Sequence, residues 1–334
     1  MSRTSTILTD RFGRSHSYLR ISLTEKCNLR CTYCMPPEGI KLSPQEHLMN
    51  AEEIYQIAKI FVEHGVDKIR LTGGEPLVRK DFKEILSRLA SLNTSLAITT
   101  NGILVDKFIE DFKNYNVQKI NVSLDSLKAQ KFQFITRRNQ FQKTYDNILL
   151  LIKNKFEVKI NTVLIKDFNE DEILDFIELT KNLPLTVRFI EFMPFDGNDW
   201  KKDKLVSQQE ILEQVIHKYG KKLIKLNDRQ NYIARNYKIE GYKGRFGIIS
   251  SVSNPFCDVC NRIRLTADGK IKNCLFSNLE TNLLAKYRKG ENLEVIIRHA
   301  IYSKEAIRGG MDNFEKLNDP NMHSNNRSMT AIGG

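Results

Sequence analysis

The sequence predicts an α/β protein built on an incomplete β/α barrel of six strand–helix units. From residue 19 to about residue 193, short runs of β-branched residues alternate with amphipathic stretches of helical period, which is the pattern of repeated βαβ units. Six units fall short of the eight that close a complete barrel. The expected strands are Leu19–Leu23, Lys68–Thr72, Ser95–Thr100, Lys119–Leu124, Glu157–Ile165 and Thr186–Met193.

The segment between the first two strands illustrates how the intervening helices are predicted. Asn50 can cap the start of a helix and Gly65 can end it. Four apolar residues between them share one helical face: Ile54, Ile57, Ala58 and Phe61. We expect this face to pack on the sheet.

The alternation ends near residue 195. A proline, a glycine and a charged segment through Lys204 interrupt it, and a helix at about 208–219 follows. Beyond that helix the chain is rich in lysine, with irregular strands up to Cys274 and helical character afterwards. We therefore expect a partial barrel over residues 1–195 and a distinct C-terminal region over residues 196–334.

The length and composition are those of a soluble globular protein. The 334 residues suffice for one large barrel-type domain or for a medium domain with a smaller one, and 41% are hydrophobic and 28% charged. No apolar run approaches the roughly 18 residues that a membrane span needs. The N-terminus also has no apolar stretch of signal-peptide length. We therefore expect a cytoplasmic protein with no membrane partner.

The chain is basic, with 52 Lys and Arg against 40 Asp and Glu and a formal charge of +12. Such a charge favours an anionic partner, which can be nucleic acid, an anionic membrane surface or a phosphorylated small molecule. A solvated basic face without a specific partner explains the charge equally well. The positions of the basic residues therefore have to decide between these partners.

Six cysteines fall into two groups of three. The first triplet is Cys27, Cys31 and Cys34, and the second triplet is Cys257, Cys260 and Cys274. Clustered thiols in a cytoplasmic protein are more often metal ligands than disulfides. The sequence therefore predicts two metal sites.

The first triplet has the spacing CxxxCxxC and directly follows the first expected strand. Three thiolates at this spacing can hold three corners of a 4Fe–4S cluster, whose fourth iron stays open to a substrate or cofactor. A zinc site or three reduced thiols are the alternatives, but a structural zinc needs a fourth ligand and none is adjacent. Barrel enzymes also place their chemistry at this end of the strands, which favours a catalytic cluster.

Polar or glycine-rich segments end the next three strands. Gly73 and Gly74 permit close backbone approach to a ligand, and Glu75 can accept a hydrogen bond from an ammonium group, although the segment can also be a simple turn. The third strand ends in residues 99–102, Thr-Thr-Asn-Gly, and the fourth in residues 121–125, Asn-Val-Ser-Leu-Asp. These side chains are expected either to face one cavity at the barrel mouth or to cap helices.

The second triplet has the spacing C-x2-C-x13-C, with an Asp-Gly turn signal before its last cysteine. It could be most of a zinc ribbon. The missing fourth ligand argues against zinc, because every cysteine is used and only His217, His299 and His323 remain in this part of the chain. A second cluster with an open iron fits better.

Basic side chains lie in the apolar strands and beside the second triplet: Arg20, Arg70, Lys159, Arg188, Arg262 and Arg264. Burying an unpaired Lys or Arg is costly, so an anionic ligand inside the barrel is favoured over solvated charge. Forked guanidinium groups suit phosphate oxygens. Partner carboxylates elsewhere in the core would explain any one of these residues, but not the whole set.

The first triplet, with Tyr33 before its last cysteine, and the Gly-Gly-Glu-Pro turn together resemble the signature of the radical S-adenosylmethionine (SAM) superfamily. The resemblance implies a TIM-like partial barrel, a SAM molecule on the open iron and a 5′-deoxyadenosyl radical. Over nearly its whole length the sequence also resembles the GTP 3′,8-cyclase family of molybdenum cofactor biosynthesis. This second resemblance rests on the same two motifs and on three further segments: Arg188–Met193, the second triplet with Asn261–Arg264, and the terminal Gly333-Gly334.

This family resemblance implies a role for each matching residue. The first triplet would hold the radical-generating cluster, and the second triplet would hold an auxiliary 4Fe–4S cluster whose open iron meets the guanine. Arg262 and Arg264 would also act in catalysis. The residues that would line the SAM site are Tyr33, Gly74, Ser123 and Met193. The residues that would bind GTP are Arg20, Arg70, Thr99, Lys159, Arg188, Arg262, Ile263, Arg264, Gly333 and Gly334.

The implied reaction converts GTP to 3′,8-cyclo-7,8-dihydro-GTP. The radical would take the hydrogen from C3′ of the ribose, and the carbon radical would add to C8 of the base. The implied partners are an electron donor that the sequence does not identify, a second enzyme that converts the product to cyclic pyranopterin monophosphate, and a second copy of the chain in a homodimer. The alternatives are another radical SAM enzyme with an auxiliary cluster, or a zinc-ribbon protein that binds nucleic acid.

Overall fold

The computed structural model describes residues 6–36, 38–196, 198, 200–228, 233–323 and 326–333. Within these residues twelve strands form one sheet, in the order β12-β11-β10-β1-β2-β3-β4-β5-β6-β9-β8-β7. The strands are β1 (Tyr18–Ser22), β2 (Lys68–Thr72), β3 (Ser95–Thr100), β4 (Lys119–Ser123), β5 (Glu157–Leu164), β6 (Thr186–Glu191), β7 (Leu223–Lys225), β8 (Arg235–Ile239), β9 (Arg245–Ile249), β10 (Arg262–Leu265), β11 (Lys270–Lys272) and β12 (Thr281–Asn282).

The helices lie between and after these strands. The described α-helices are α1 (Ala51–Glu63), α2 (Phe82–Ala90), α3 (Ile109–Asn114), α4 (Ala129–Thr136), α5 (Phe141–Lys153), α6 (Ile173–Asn182), α7 (Gln208–Tyr219), α8 (Leu283–Arg288), α9 (Leu293–Tyr302), α10 (Phe314–Asn318), α11 (Pro320–His323) and α12 (Met329–Ile332). Among the helices that the structure describes, none combines the length and the apolar character needed to cross a lipid bilayer.

All six predicted strands are confirmed, with ends that differ from the predicted ones by at most two residues. β1 to β6 are parallel and lie side by side in sequence order. The helix predicted after β1 is confirmed as α1. Asn50 and Glu53 form a reciprocal capping box at its start, and its apolar face is buried.

The C-terminal strands extend this sheet at both ends, which the sequence did not predict. β10 pairs in parallel with β1, and β9 pairs in parallel with β6. The remaining strands continue outward as antiparallel partners. These strands are only two to five residues long and rich in Lys and Arg, so no local pattern marks which edge they join.

Strand alternation divides the side chains of the sheet into two sets. In β2, Ile69 and Leu71 point to the helices and are fully buried in the main core, whereas Arg70 and Thr72 point to the inside of the curled sheet and line cavities there. Residues of β1, β4, β5, β6, β9 and β10 line one cavity together, so the sheet curls. Within the described residues β7 and β12 are edge strands, and hydrogen bonds do not close the barrel.

Candidate active site

Three adjoining cavities occupy the inside of the curled sheet. The first cavity contains the first triplet and has a volume of about 1010 Å³, including part of its entrance. The second cavity contains the second triplet and has a similar volume of about 1010 Å³. The third cavity, of about 920 Å³, is lined mainly by basic residues. The first and second cavities share four lining residues, and the second and third share five, so the three adjoin in series; together they are called the channel below.

The loop after β1 brings the first triplet to the C-terminal ends of the strands. The loop is held by backbone hydrogen bonds from Arg30 and Thr32 to the carbonyl oxygens at the end of α4, at 2.9 and 2.8 Å. All three thiols are partly buried and line the first cavity. Burial raises the pKa of Cys27 to about 11 and that of Cys34 to about 12, so metal binding at this loop would release protons.

The donor set of each triplet fits a cluster better than a single ion. In the part of the chain that the structure describes, no three His, Cys, Asp or Glu side chains converge closely enough to hold one metal ion. A structural zinc needs four ligands at about 2.0–2.3 Å from one point. Three thiols that line one cavity are instead the donor set of a 4Fe–4S cluster with an open fourth iron.

Gly73 and Gly74 allow the end of β2 to pack against the cysteine loop. Gly74 donates its backbone N–H to the carbonyl oxygen of Thr24 at 2.7 Å. A Cβ at Gly74 would lie 2.4 Å from the carbonyl oxygen of Lys26, and a Cβ at Gly73 would lie 2.6 Å from that of Thr24. Both contacts are with backbone atoms that cannot easily move, so the two glycines are needed for the close approach.

Glu75 does not line any of the three cavities. It is fully buried, and its carboxylate accepts hydrogen bonds from the Thr100 hydroxyl at 2.8 Å and the Asn101 N–H at 2.7 Å, besides that of Leu77. Burial raises the pKa of Glu75 to about 7. The structure therefore shows Glu75 joining the ends of β2 and β3, and its contact with an ammonium group stays a prediction.

Asp125 is the carboxylate that the described residues present to the first cavity. It accepts hydrogen bonds from the Tyr33 hydroxyl at 2.8 Å and from the backbone N–H of Val163 at 2.8 Å. Burial raises the pKa of Asp125 to about 6. The sequence indicated polar side chains at this strand end, but it could not show which carboxylate faces the cavity.

The predicted SAM-site residues all line the first cavity, together with Thr99, which was predicted to bind GTP. The Thr99 hydroxyl also accepts a hydrogen bond of 3.4 Å from Arg70, which lines the third cavity. The predicted GTP residues that line the second or third cavity are Arg20, Arg70, Lys159, Arg188, Arg262 and Arg264. Thr99 therefore lines the cavity of the predicted SAM residues and also contacts one of these basic residues.

Ile263 does not reach the cavities. It lies in β10 between Arg262 and Arg264, and strand alternation turns its side chain outward into the hydrophobic core, where it is fully buried. Pairing of β10, β1 and β2 places Arg20 beside both Arg264 and Arg70. The alternation thus aligns Arg264, Arg20 and Arg70 inside the curled sheet and keeps the side chain of Ile263 out of the cavities.

The C-terminal tail enters the same site. The carbonyl oxygen of Gly333 accepts a hydrogen bond from the Arg264 guanidinium, and a Cβ at Gly333 would lie 2.3 Å from the Thr72 hydroxyl. Met329 lines both the first and second cavities, and Thr330 lines the first. Sequence reasoning missed these last two residues, and Gly334 lies outside the described residues.

The third cavity lies at the N-terminal ends of the strands and is strongly basic. Its described lining contains seven cations and one carboxylate, that of Asp67. Lys68 and Lys119 are cations here that sequence reasoning did not single out. Burial lowers the pKa of Lys68 to about 8 and that of Lys159 to about 8. The cavity is therefore suited to a multiply charged anion.

Comparisons with known proteins identify the family of the chain. Residues 21–180 match the radical SAM superfamily model, and residues 185–308 match the model described as Molybdenum Cofactor Synthesis C. The crystal structure of Streptococcus suis SuiB bound to S-adenosylmethionine has a TM-score of 0.59 at 16% identity, covering 91% of this chain and 70% of that one. At this identity the likeness establishes the fold alone.

Three curated relatives resemble nearly the whole chain. Molybdenum cofactor biosynthesis protein 1 of Mus musculus is 45% identical over 98% of this chain, which spans 51% of that relative. The chain thus spans about half the length of the first curated relatives that it matches. The mitochondrial GTP 3′,8-cyclase of Arabidopsis thaliana is 45% identical, with 99% of this chain and 84% of the relative covered. The GTP 3′,8-cyclase of Alkaliphilus oremlandii is 40% identical, with 98% and 100% covered. The chain therefore belongs to the GTP 3′,8-cyclase family, within the radical SAM superfamily.

Proposed function

We propose that this chain is a GTP 3′,8-cyclase that converts GTP to 3′,8-cyclo-7,8-dihydro-GTP, the first step of molybdenum cofactor biosynthesis. The observation that carries the proposal is the series of adjoining cavities, in which two three-cysteine cavities are followed by a basic cavity. A radical SAM enzyme acting on a nucleoside triphosphate needs a site for SAM, a site for the base and a site for the phosphates, and the channel offers all three.

Membership of the family implies a 4Fe–4S cluster and SAM. The first triplet would hold that cluster, with Tyr33, Gly74, Ser123 and Met193 around SAM. We further propose a second 4Fe–4S cluster on the second triplet. When bound, the first cluster and SAM supply the radical that removes a hydrogen from the substrate. Residues 1–195 would thus generate the radical, and residues 196–334 would complete the substrate site.

The length of the channel suits GTP. Lys68 and Thr72, at opposite ends of β2, are about 13 Å apart at the rise of a strand, and they line the third and first cavities. The triphosphate would lie among the cations of the third cavity, and the base would lie against the second triplet. The ribose would then lie in the second cavity, between the phosphates and the base, where C3′ would face the first cavity and its SAM site.

Unpartnered polar atoms support this placement of GTP. Asn161 lines both the first and second cavities, and its buried Oδ1 has no hydrogen-bond partner in the described structure. Asn121 Oδ1, at the junction of the second and third cavities, is also unpartnered. Buried acceptors without a partner are costly. Ribose hydroxyl groups would satisfy both of them.

The tail would shield the reacting atoms from water. Met329 lies at the junction of the first and second cavities, and Gly333 fixes the orientation of Arg264 through its carbonyl oxygen. Holding Arg264 in this way leaves its remaining N–H groups free to bind GTP. The other proposed partners are a one-electron donor, a cyclic pyranopterin monophosphate synthase acting on the product, and a second copy of the chain, all in the cytoplasm.

The test is anaerobic reconstitution with iron and sulfide, followed by incubation with SAM, a reductant and GTP. We expect about eight irons per chain, 5′-deoxyadenosine formation that depends on GTP, and 3′,8-cyclo-7,8-dihydro-GTP by mass spectrometry, since two 4Fe–4S clusters are proposed. Zinc in place of iron would refute the cluster assignment. If 5′-deoxyadenosine forms at the same rate without GTP, the result would instead favour another radical SAM reaction.

GTP binding is expected to weaken as the pH rises above about 8. Burial holds the pKa of Lys68 and Lys159 at about 8, so both lysines lose their protons near this pH in the free protein. A bound triphosphate favours their charged forms and must draw protons from solution, so binding at high pH costs about tenfold in affinity for each neutral lysine. Calorimetry in two buffers of different ionisation enthalpy would measure the proton uptake. Lys159→Arg, which stays charged, should flatten the profile, and a pH-independent affinity of the wild type would contradict the explanation.

A further inference from the structure

The second triplet receives a hydrogen bond from a buried lysine that lies outside the predicted site. Lys304, just after α9, is 3% exposed. We infer that Lys304 is a positioning residue that donates an N–H···S hydrogen bond to Cys260 and thereby raises the reduction potential of the second cluster. This inference rests on the proposed function, because it requires that the second triplet hold a cluster.

The contacts of Lys304 account for all three of its N–H groups. Its Nζ lies 2.8 Å from His16 Nε2, 3.2 Å from the carbonyl oxygen of Arg262 and 3.6 Å from Cys260 Sγ. An ammonium group has three donors and no acceptor. The three partners therefore fix the direction of the side chain, and one of them is a sulfur of the second triplet.

His16 is the acceptor that orients Lys304. Its Nδ1 lies 3.1 Å from the carbonyl oxygen of Leu8, which can only accept, so Nδ1 carries the proton and Nε2 offers its lone pair to Lys304. Burial lowers the pKa of His16 to about 3, and the nearby Lys304 charge contributes to this shift. The imidazole is therefore neutral and does not compete with Lys304 as a donor.

The charge of Lys304 has no carboxylate partner within ion-pair distance in the described residues. Asp10, the buried acid beside His16, pairs with Arg14 Nε at 2.6 Å and lies 3.7 Å from His16, and Glu305 pairs with Arg11. A buried cation without a nearby anion is strongly unfavourable. The thiolate of Cys260 in a cluster would supply that anion, so the lysine and the cluster would stabilise each other.

A second donor from the same segment reaches the second triplet. The backbone N–H of Arg308 donates to Cys257 Sγ at 3.4 Å. Arg308 and Gly309 both have left-handed backbone conformations, with φ of 43° and 62°, and a Cβ at Gly309 would lie 2.7 Å from the N of Ser277. This strained turn keeps the N–H pointed at the sulfur. Residues 304–308 thus provide one charged and one neutral donor to the ligands of one cluster.

Within the described part of the chain, the hydrogen-bond donors to the sulfurs of the first triplet are neutral. Cys27 Sγ accepts from the Leu29 N–H at 3.4 Å and from Asn101 Nδ2 at 3.9 Å. Hydrogen bonds to sulfur and nearby positive charge both favour the reduced, more negative cluster. Reduction adds negative charge, so removing Lys304 should lower the potential of the second cluster and leave that of the first unchanged.

The test is an EPR-monitored redox titration of the reconstituted full chain, in which GTP identifies the signal of the second cluster and SAM that of the first. Lys304→Met should lower the reduction equilibrium constant of the second cluster about tenfold, a fall of about 59 mV for one electron. Lys304→Arg should restore most of the potential. Lys113→Met, which removes an exposed surface charge on α3, should change neither cluster.

Separate outcomes distinguish failure of the inference from failure of the proposed function. If the wild-type chain binds iron at the first triplet alone, the proposed second cluster is wrong. If both clusters assemble and Lys304→Met leaves the second midpoint at the wild-type value, the inference is overturned. If Lys304→Met does not assemble the second cluster, the midpoint potential of that cluster is measured in Lys304→Gln instead, because glutamine keeps an N–H donor without the charge. An intermediate shift in Lys304→Gln supports the inference, and an unchanged midpoint overturns it.

Discussion

Replacing the three cysteines of the first triplet by alanine is expected to abolish both SAM cleavage and product formation. Replacing the second triplet is expected to abolish product formation, while SAM cleavage persists with GTP held by the cations of the third cavity. The physical reason is the separation of the two triplets along the channel, since no cysteine of one triplet lines the cavity of the other. Each cluster can therefore be removed without taking ligands from the other.

The measurement combines iron content with separate assays of 5′-deoxyadenosine and cyclised nucleotide. Each triple variant should retain about half of the wild-type iron, because each triplet would hold one of two equal clusters. Thermal unfolding of each variant controls for loss of the fold. Deoxyadenosine formation by the first-triplet variant, or cyclised product from the second-triplet variant, would contradict the assigned roles.

The strands of the partial barrel could be predicted because each is a short run of β-branched and apolar residues bounded by turns. β1 to β6 are largely buried, with helices on one face and the cavities on the other, so their composition is distinctive. The pairing of β10 with β1 and of β9 with β6 could not be predicted. It joins residues more than fifty positions apart, and the short basic strands carry no local signal of their partners.

The chemistry of the site could be predicted more fully than its orientation. Spacing identified both cysteine triplets, but it could not show that Asp125 lines the first cavity while Glu75 is buried against the end of β3. The outward side chain of Ile263 follows from strand alternation once its two neighbouring arginines point inward. The position of Met329 depends on where the tail folds back, for which the sequence holds no pattern.

Among single substitutions of the basic residues, Arg262→Ala is expected to weaken GTP binding most. Arg262 lines both the second and third cavities, and its buried Nε has no hydrogen-bond partner in the described structure. Its guanidinium lies over the rings of Tyr18 and Phe256, with centroids at 5.5 and 5.9 Å. These aromatic contacts fix the group without occupying its donors, which leaves the fork available for phosphate oxygens.

Loss of charged hydrogen bonds worth about 1.5–3 kcal/mol should raise the Kd for GTP between about tenfold and hundredfold. Arg262→Lys should recover only part of the lost affinity for GTP, because an ammonium group cannot donate two parallel hydrogen bonds to a phosphate as a guanidinium group does. Arg245→Ala, which removes an exposed arginine at the start of β9, is the matched control and should leave the Kd unchanged.

Comparison of GTP with guanosine tests where Arg262 acts along the channel. If it binds the triphosphate, Arg262→Ala should weaken GTP binding and leave guanosine binding nearly unchanged, and added salt should reduce the difference between wild type and variant. An equal loss for both ligands would place Arg262 at the base instead. In that case the remaining cations of the third cavity would hold the phosphates. Arg262 would then act together with the second triplet, because it lies two residues after Cys260 in the sequence.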